Sequence, residues 1–110
     1  MKWLIPGSAV FLSGCSPTPH HFRVDVGNAD GHFATASVTL CGKPLGALQR
    51  SGDTFAGTVA VNCEGSGYVR LRSGNGTTVD CPIGYVTSVE DRWDFAVRGR
   101  SCTKTLKAAG

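Results

Sequence analysis

From Phe22 to Arg98 the apolar residues recur at every second position, and this alternation constrains the fold more than any other feature of the chain. Successive side chains of a strand point to opposite faces, so a period of two marks a sheet with one buried face, whereas a helix needs a period of about 3.6. Phe22, Val24 and Val26 alternate with Arg23 and Asp25, and Ala34, Ala36, Val38 and Leu40 alternate with Thr35, Ser37 and Thr39. Phe55, Gly57, Val59 and Val61 alternate with Ala56, Thr58 and Ala60, in the best-patterned stretch of the chain. Val69 and Leu71 are set against Arg70 and Arg72, and Trp93, Phe95 and Val97 against Asp94, Ala96 and Arg98.

Turn residues separate these runs: Gly27 to Gly31, Gly42-Lys43-Pro44, Arg50-Ser51-Gly52-Asp53, Glu64-Gly65-Ser66-Gly67 and Ser73-Gly74-Asn75-Gly76. Leu45 to Gln49 reads as a short strand, and Asn75-Gly76 predicts a two-residue hairpin loop. Pro82 cannot donate to a ladder, so residues 83–87 are expected as a continuation past a bulge or as an edge segment. With charged residues at only 17% and 15 glycines, tight turns are favoured over amphipathic helices. The expected fold is all-β, an antiparallel β-sandwich of about seven strands in an immunoglobulin-like or transthyretin-like arrangement, with a small β-barrel as the alternative.

The N-terminus follows a different logic. Met1-Lys2 supplies a positive start, and residues 3–12 form an apolar run too short for a transmembrane helix, which wants about 20 residues, and broken by Pro6-Gly7. The run closes on Leu12-Ser13-Gly14-Cys15, an aliphatic residue, two small residues and a cysteine. This resembles the lipobox of bacterial lipoproteins. The resemblance implies that residues 1–14 are a lipoprotein signal peptide and that the Cys15 thiol carries a lipid as a thioether, becoming the first mature residue. The other readings are a plain secretory cleavage, or a first strand with Cys15 in a disulfide. Ser16, where an aspartate would retain an enteric-type lipoprotein at the inner membrane, implies an outer membrane lipoprotein facing the periplasm, the alternative being the outer face of an inner or plasma membrane. Residues 15–21, with Pro17 and Pro19, read as a lipidated tether, residues 22–103 as the β-domain and residues 104–110 as a fraying tail.

Cysteine counting agrees with export. Five is an odd number for an oxidised chain, and lipidation of Cys15 leaves Cys41, Cys63, Cys81 and Cys102 as two disulfides in a mature chain of 96 residues. Three pairings are possible; Cys41–Cys63 with Cys81–Cys102 is favoured because each closes a local meander. A zinc site is disfavoured by spacings of 22, 18 and 21 residues without a CxxC pair.

No pattern for catalysis stands out, so no enzyme is expected. Ser66, Ser73 and Ser88 lie in turn or loop contexts, and none stands in GxSxG. His20, His21 and His32, with Asp25 and Asp30, could gather a copper or zinc ion, but two of the histidines fall on the expected tether and the third in a loop, so neither metal nor cofactor is expected. Tyr85, with the basic run of Arg98, Arg100 and Lys104 that continues to Lys107, forms the candidate binding set. After loss of Lys2, 10 basic residues face 8 acidic ones, too weak an excess for a nucleic-acid partner. The expected function is that of a small lipid-anchored, disulfide-bonded envelope protein acting as a binding or structural module. The membrane is its first partner and an envelope protein or polymer its second. An inhibitor of a lysozyme-type hydrolase and an accessory lipoprotein of a secretion system are the alternatives.

Overall fold

Alternation produces strands throughout the computed structural model, which describes residues 17–87 and 89–105. The expected signal peptide, Cys15, Ser16, Ser88 and the tail from Leu106, Lys107 included, lie outside the described residues. Eight strands appear in chain order: β1 (Thr18–Ala29), β2 (Phe33–Leu40), β3 (Lys43–Ser51), β4 (Thr54–Val61), β5 (Gly65–Ser73), β6 (Thr78–Val86), β7 (Asp91–Gly99) and β8 (Ser101–Lys104). They form one sheet in the order β6-β5-β2-β3-β4-β1-β7-β8.

That sheet curls into a nearly closed small barrel, so the barrel alternative holds and the two-layer sandwich does not. The reason lies in β3. Its first part, through Leu48, pairs with β2, and its last residues, Gln49 to Ser51, pair with β4, so one strand joins what would otherwise be two separate sheets. The two ends of the sheet then meet: Cys81 of β6 is bonded to Cys102 of β8 with their Cα atoms 5.1 Å apart, the separation of directly opposed residues in neighbouring strands. The second disulfide, Cys41–Cys63, ties the β2–β3 turn to the end of β4.

Not every pairing is antiparallel. β1 lies between β4 and β7, antiparallel to the first with Thr18 opposite Val61, and parallel to the second with Phe22 opposite Trp93. A register shift between Asp25 and Asn28 lets β1 run on to Ala29, into residues expected as a loop. The interior is filled by the alternating set, with Val24, Val38, Leu40, Val69, Leu71 and Cys81 wholly inaccessible. Each such side chain contributes about 1.5–3 kcal/mol of burial. One member of the series departs from it: a register shift between Phe33 and Thr35 turns Ala34 outward and puts Phe33 inside in its place.

Several boundaries shift from those expected. The tether is shorter than residues 15–21, because Thr18 to His21 belong to β1 and are paired with β4, His20 and His21 with β7 as well. The domain also extends past residue 103: Lys104 ends β8, and the Thr105 N–H donates to the Asp94 carbonyl at 2.8 Å. β8 is an additional strand, made by a two-residue turn at Gly99-Arg100 that brings Ser101 opposite Arg98. Beyond Pro82 the expectation holds: Pro82 sits opposite Tyr68 in an end strand of the sheet, where a missing N–H costs little, and β6 continues to Val86 past a register shift. The Asn75-Gly76 connection is four residues long, because side chains of Ser73 and Asn75 take up the Thr77 N–H in place of a ladder bond.

Two turns show how tightly the backbone is specified. At the β2–β3 hairpin both Cys41 and Gly42 have positive φ, 56° and 75°, as a type I′ turn requires, and the Cys41 N–H is held by the Ser66 carbonyl at 3.0 Å. On β5, a Cβ at Gly67 would stand 1.9 Å from the Thr39 carbonyl oxygen.

Two variants test this architecture by urea unfolding. Replacing Cys81 and Cys102 together by alanine is expected to lower the unfolding free energy by about 2–4 kcal/mol, the usual worth of a disulfide. Gly67→Ala is expected to cost at least as much, about 3 kcal/mol or more, because backbone rather than a flexible side chain must move. An unchanged midpoint for either would contradict the packing described.

Candidate functional site

Strand direction decides which turns share an end of the barrel. β1, β3, β5 and β7 run one way and β2, β4, β6 and β8 the other, so the connections after the odd-numbered strands gather at one end. Three of them, residues 30–32, 74–77 and 99–100, surround a cleft of about 340 Å³, near the lower bound for small-ligand sites.

Phe33 and Val79 form its floor, both buried, and apolar because they continue the inward-facing series of β2 and β6. Phe33 is fixed through its carbonyl, which accepts from Arg50 Nη1 at 2.6 Å. Arg50 is itself anchored by the Gly52 carbonyl at 2.9 Å and lies over the Phe55 ring, 5.6 Å from its centroid. One wall is the β5–β6 connection. There the Ser73 hydroxyl donates to the Asn75 carboxamide oxygen, and the Thr77 N–H donates to Ser73 Oγ at 3.1 Å and to Asn75 Oδ1 at 3.0 Å. The Ser73 oxygen is thus engaged by its own turn. The opposite wall is closed by a backbone bond from the Asp30 N–H to the Gly99 carbonyl at 2.9 Å.

Asp30, His32 and Arg100 stand exposed around this cleft, and among the described residues none of their side chains has a hydrogen-bond or ion-pair partner. A carboxylate, an imidazole and a guanidinium over an apolar floor can accept and donate hydrogen bonds to one polar group while an attached apolar part rests below.

The residues singled out from the sequence do not form one patch. Arg100 lines the cleft, and Arg98 points outward from β7 near the same end. Lys104 lies against the seam, its ammonium 4.1 Å from the Trp93 ring centroid. Tyr85 belongs to the opposite end, 65% exposed, with its hydroxyl 3.5 Å from Glu64 Oε1. On the outer face of β5, Arg70 makes a two-pronged bond to Asp80 at 2.8 and 3.0 Å and lies over Tyr68. The hydrogen bond to Asp80, then its charge, raise the Arg70 pKa further above its ordinary value.

The histidines are also dispersed. His20 and His21 begin β1, while His32 follows its far end, and among the described residues no group of three or more ligand-type side chains is placed to hold a metal ion. His21 is held by Thr58 Oγ1 at 3.0 Å and Glu90 Oε2 at 2.7 Å. His20 is wholly buried; its Nδ1 lies 3.2 Å from the Thr18 carbonyl and its Nε2 has no partner among the described residues. Phe33 falls out of phase with the inner face expected for its strand, Asn75 reads as turn, and Asp30 and His32 read only as possible metal ligands, so the sequence does not assemble them with Arg100. The signal that unites them is the parity of the strands, which sends every second connection to the same end.

No protein-family model matches the chain, and no curated protein matches it.

The unpartnered His20 Nε2 generates a stability prediction. A buried polar atom without a hydrogen bond is costly, so His20→Leu is expected to raise the unfolding free energy by about 1 kcal/mol, seen as a higher denaturant midpoint with an unchanged slope. A fall of similar size would show that the imidazole contributes more than it costs.

Proposed function

We propose that this protein is a lipid-anchored binding module of the cell envelope, held to the membrane at Cys15 and presenting the cleft around Asp30, His32 and Arg100 to an envelope protein or polymer. The observation that carries this reading is the polarity of the barrel. Thr18, three positions after Cys15, pairs with Val61 at one end, and the cleft lies at the other. Three residues of chain reach at most about 11 Å, so the lipid and the first strand stay close together. A twelve-residue strand tilted as barrels require then carries the cleft on the order of 30 Å outward.

The two disulfides suit an oxidising compartment, and a periplasm-facing outer membrane is the site proposed. The module acts by recognition rather than catalysis. Its cleft offers exposed donors and an acceptor, and the serine at its wall spends its hydroxyl on the turn. Backbone bonds across the rim, from Asp30 to Gly99 and from Ser73 to Thr77, suit such a role, since they leave less ordering of loops to be done on binding.

Two experiments test the proposal. Intact mass and membrane fractionation are expected to show an acylated, membrane-bound protein without free thiols, and a Cys15→Ala variant that is neither acylated nor retained. A soluble, unmodified wild type would remove the premise. Crosslinking in whole envelopes is expected to capture a partner above a lipid-only control, and Arg100→Glu with His32→Ala to reduce that capture about tenfold at an unchanged unfolding midpoint. Equal capture by the variant would move recognition away from the cleft.

A further inference from the structure

The end of the barrel opposite the cleft has a composition of its own. It is formed by the start of β1, the β2–β3 turn at Cys41-Gly42, the β4–β5 connection through Glu64, and, between β6 and β7, the described residues Thr87, Val89 and Glu90. Two large apolar side chains are exposed on the described surface, Tyr85 at 65% and Val89 at 70%. Both belong to this end: Tyr85 is the second-last residue of β6 with its hydroxyl toward Glu64, and Val89 lies in the connection that follows. Neither is explained by packing, since the strands around them already have a filled interior.

We infer that this end is a membrane-seating surface, with Tyr85 and Val89 placed in the headgroup layer of the bilayer that holds the Cys15 lipid. The inference rests on the anchor proposed above and adds the orientation of the domain upon it. The short link is the decisive constraint. Ser16 and Pro17 alone separate Cys15 from Thr18, and a chain of that length cannot hold the barrel away from the headgroups. The end that carries Thr18 must therefore face the bilayer. On that end stand the two exposed apolar groups, one of them a tyrosine, whose apolar ring and polar hydroxyl suit the boundary between hydrocarbon and water.

Charge supplies no attraction at this end. Lys43 and Arg92 at this end are opposed by Glu64, Glu90 and Asp91, so a net attraction to anionic headgroups is absent and the seating is apolar and insensitive to salt. Next to Val89, Glu90 is paired with His21 at 2.7 Å, and the Val89 N–H donates to Thr87 Oγ1 at 3.3 Å. Seating also fixes which way the far end faces: the cleft points away from the membrane, toward whatever passes above it.

The test uses the full lipidated protein on phosphatidylcholine vesicles with brominated acyl chains, which quench nearby indoles. Tryptophan is introduced by Val89→Trp or, at the opposite end, by Asp53→Trp, and Trp93 emission of the unsubstituted protein is subtracted. The expected result for Val89→Trp is a blue-shifted added emission that loses about half its intensity on brominated vesicles at low and high salt alike, as for a side chain held at the headgroup–acyl boundary. The added emission of Asp53→Trp is expected to be unaffected. Acylated protein on vesicles in which the indole of Val89→Trp is not quenched, or is quenched no more than that of Asp53→Trp, overturns the seating while leaving the anchor intact. A mass showing no acyl groups, with no vesicle binding, overturns the anchor and the seating together.

Discussion

A curled sheet of eight strands has two open edges, and the structure depends on how they are joined. The disulfide between Cys81 and Cys102 brings β6 and β8 to the spacing of paired strands, but β8 is only four residues long and cannot cover the whole of β6. Below it the gap is occupied by Trp93. A Cβ at Gly84 would stand 3.3 Å from that indole, so the small residue on β6 makes room for the large one on β7, and the Lys104 ammonium covers the ring. Covalent bond, aromatic ring and cation together cover part of an edge that would otherwise invite another chain. Trp93 stacks on Phe95 at 6.3 Å, which couples the seam to the core.

Closure also sets the polarity that the functional reading uses. Because β1 is paired from Thr18 onward and gripped between β4 and β7 from His20, the chain leaves the lipid attachment proposed at Cys15 and enters rigid structure almost at once. The end of the barrel that carries Thr18 is the one we propose faces the membrane, and at the other end three of the four connections line one cleft. The cleft among them is shallow and polar at its rim. Its floor is stiffened by Arg50, which ties Phe33 of β2 to the β3–β4 turn, so its shape follows from the barrel rather than from loop plasticity.

Much of the core is legible residue by residue. Val69 and Leu71 inward with Arg70 and Arg72 outward is what alternation predicts and what burial shows, and the same holds for Trp93, Phe95 and Val97. His20 is not legible. Beside two prolines and a second histidine it reads as tether, yet it continues the inward series of Phe22, Val24 and Val26 by one more step of two, and pairing on both sides of β1 carries it into the core. Pro82, by contrast, is legible: it marks an edge or a bulge, and its strand ends the sheet with a register shift just beyond it. Of the residues that line the cleft, only Arg100 belongs to the binding set that the sequence suggests. Asp30, Phe33 and Asn75 join it from segments far apart from Arg100 along the chain, and nothing local ties them to it.

By itself the sequence determined the all-β class, the buried face of most strands and the supply of four cysteines for two bonds. Each is a local property: a side chain's face depends on its position within one strand, and burial follows from its polarity. Tertiary structure alone decided that β3 bridges two half-sheets, that β1 lies parallel to β7, and that the sheet closes as a barrel with a cleft at one end. Those choices rest on backbone hydrogen bonds between distant strands, and every residue but proline offers the same N–H and C=O to any neighbour. The pattern of side chains says that a strand must pair, and only the assembled core says with which.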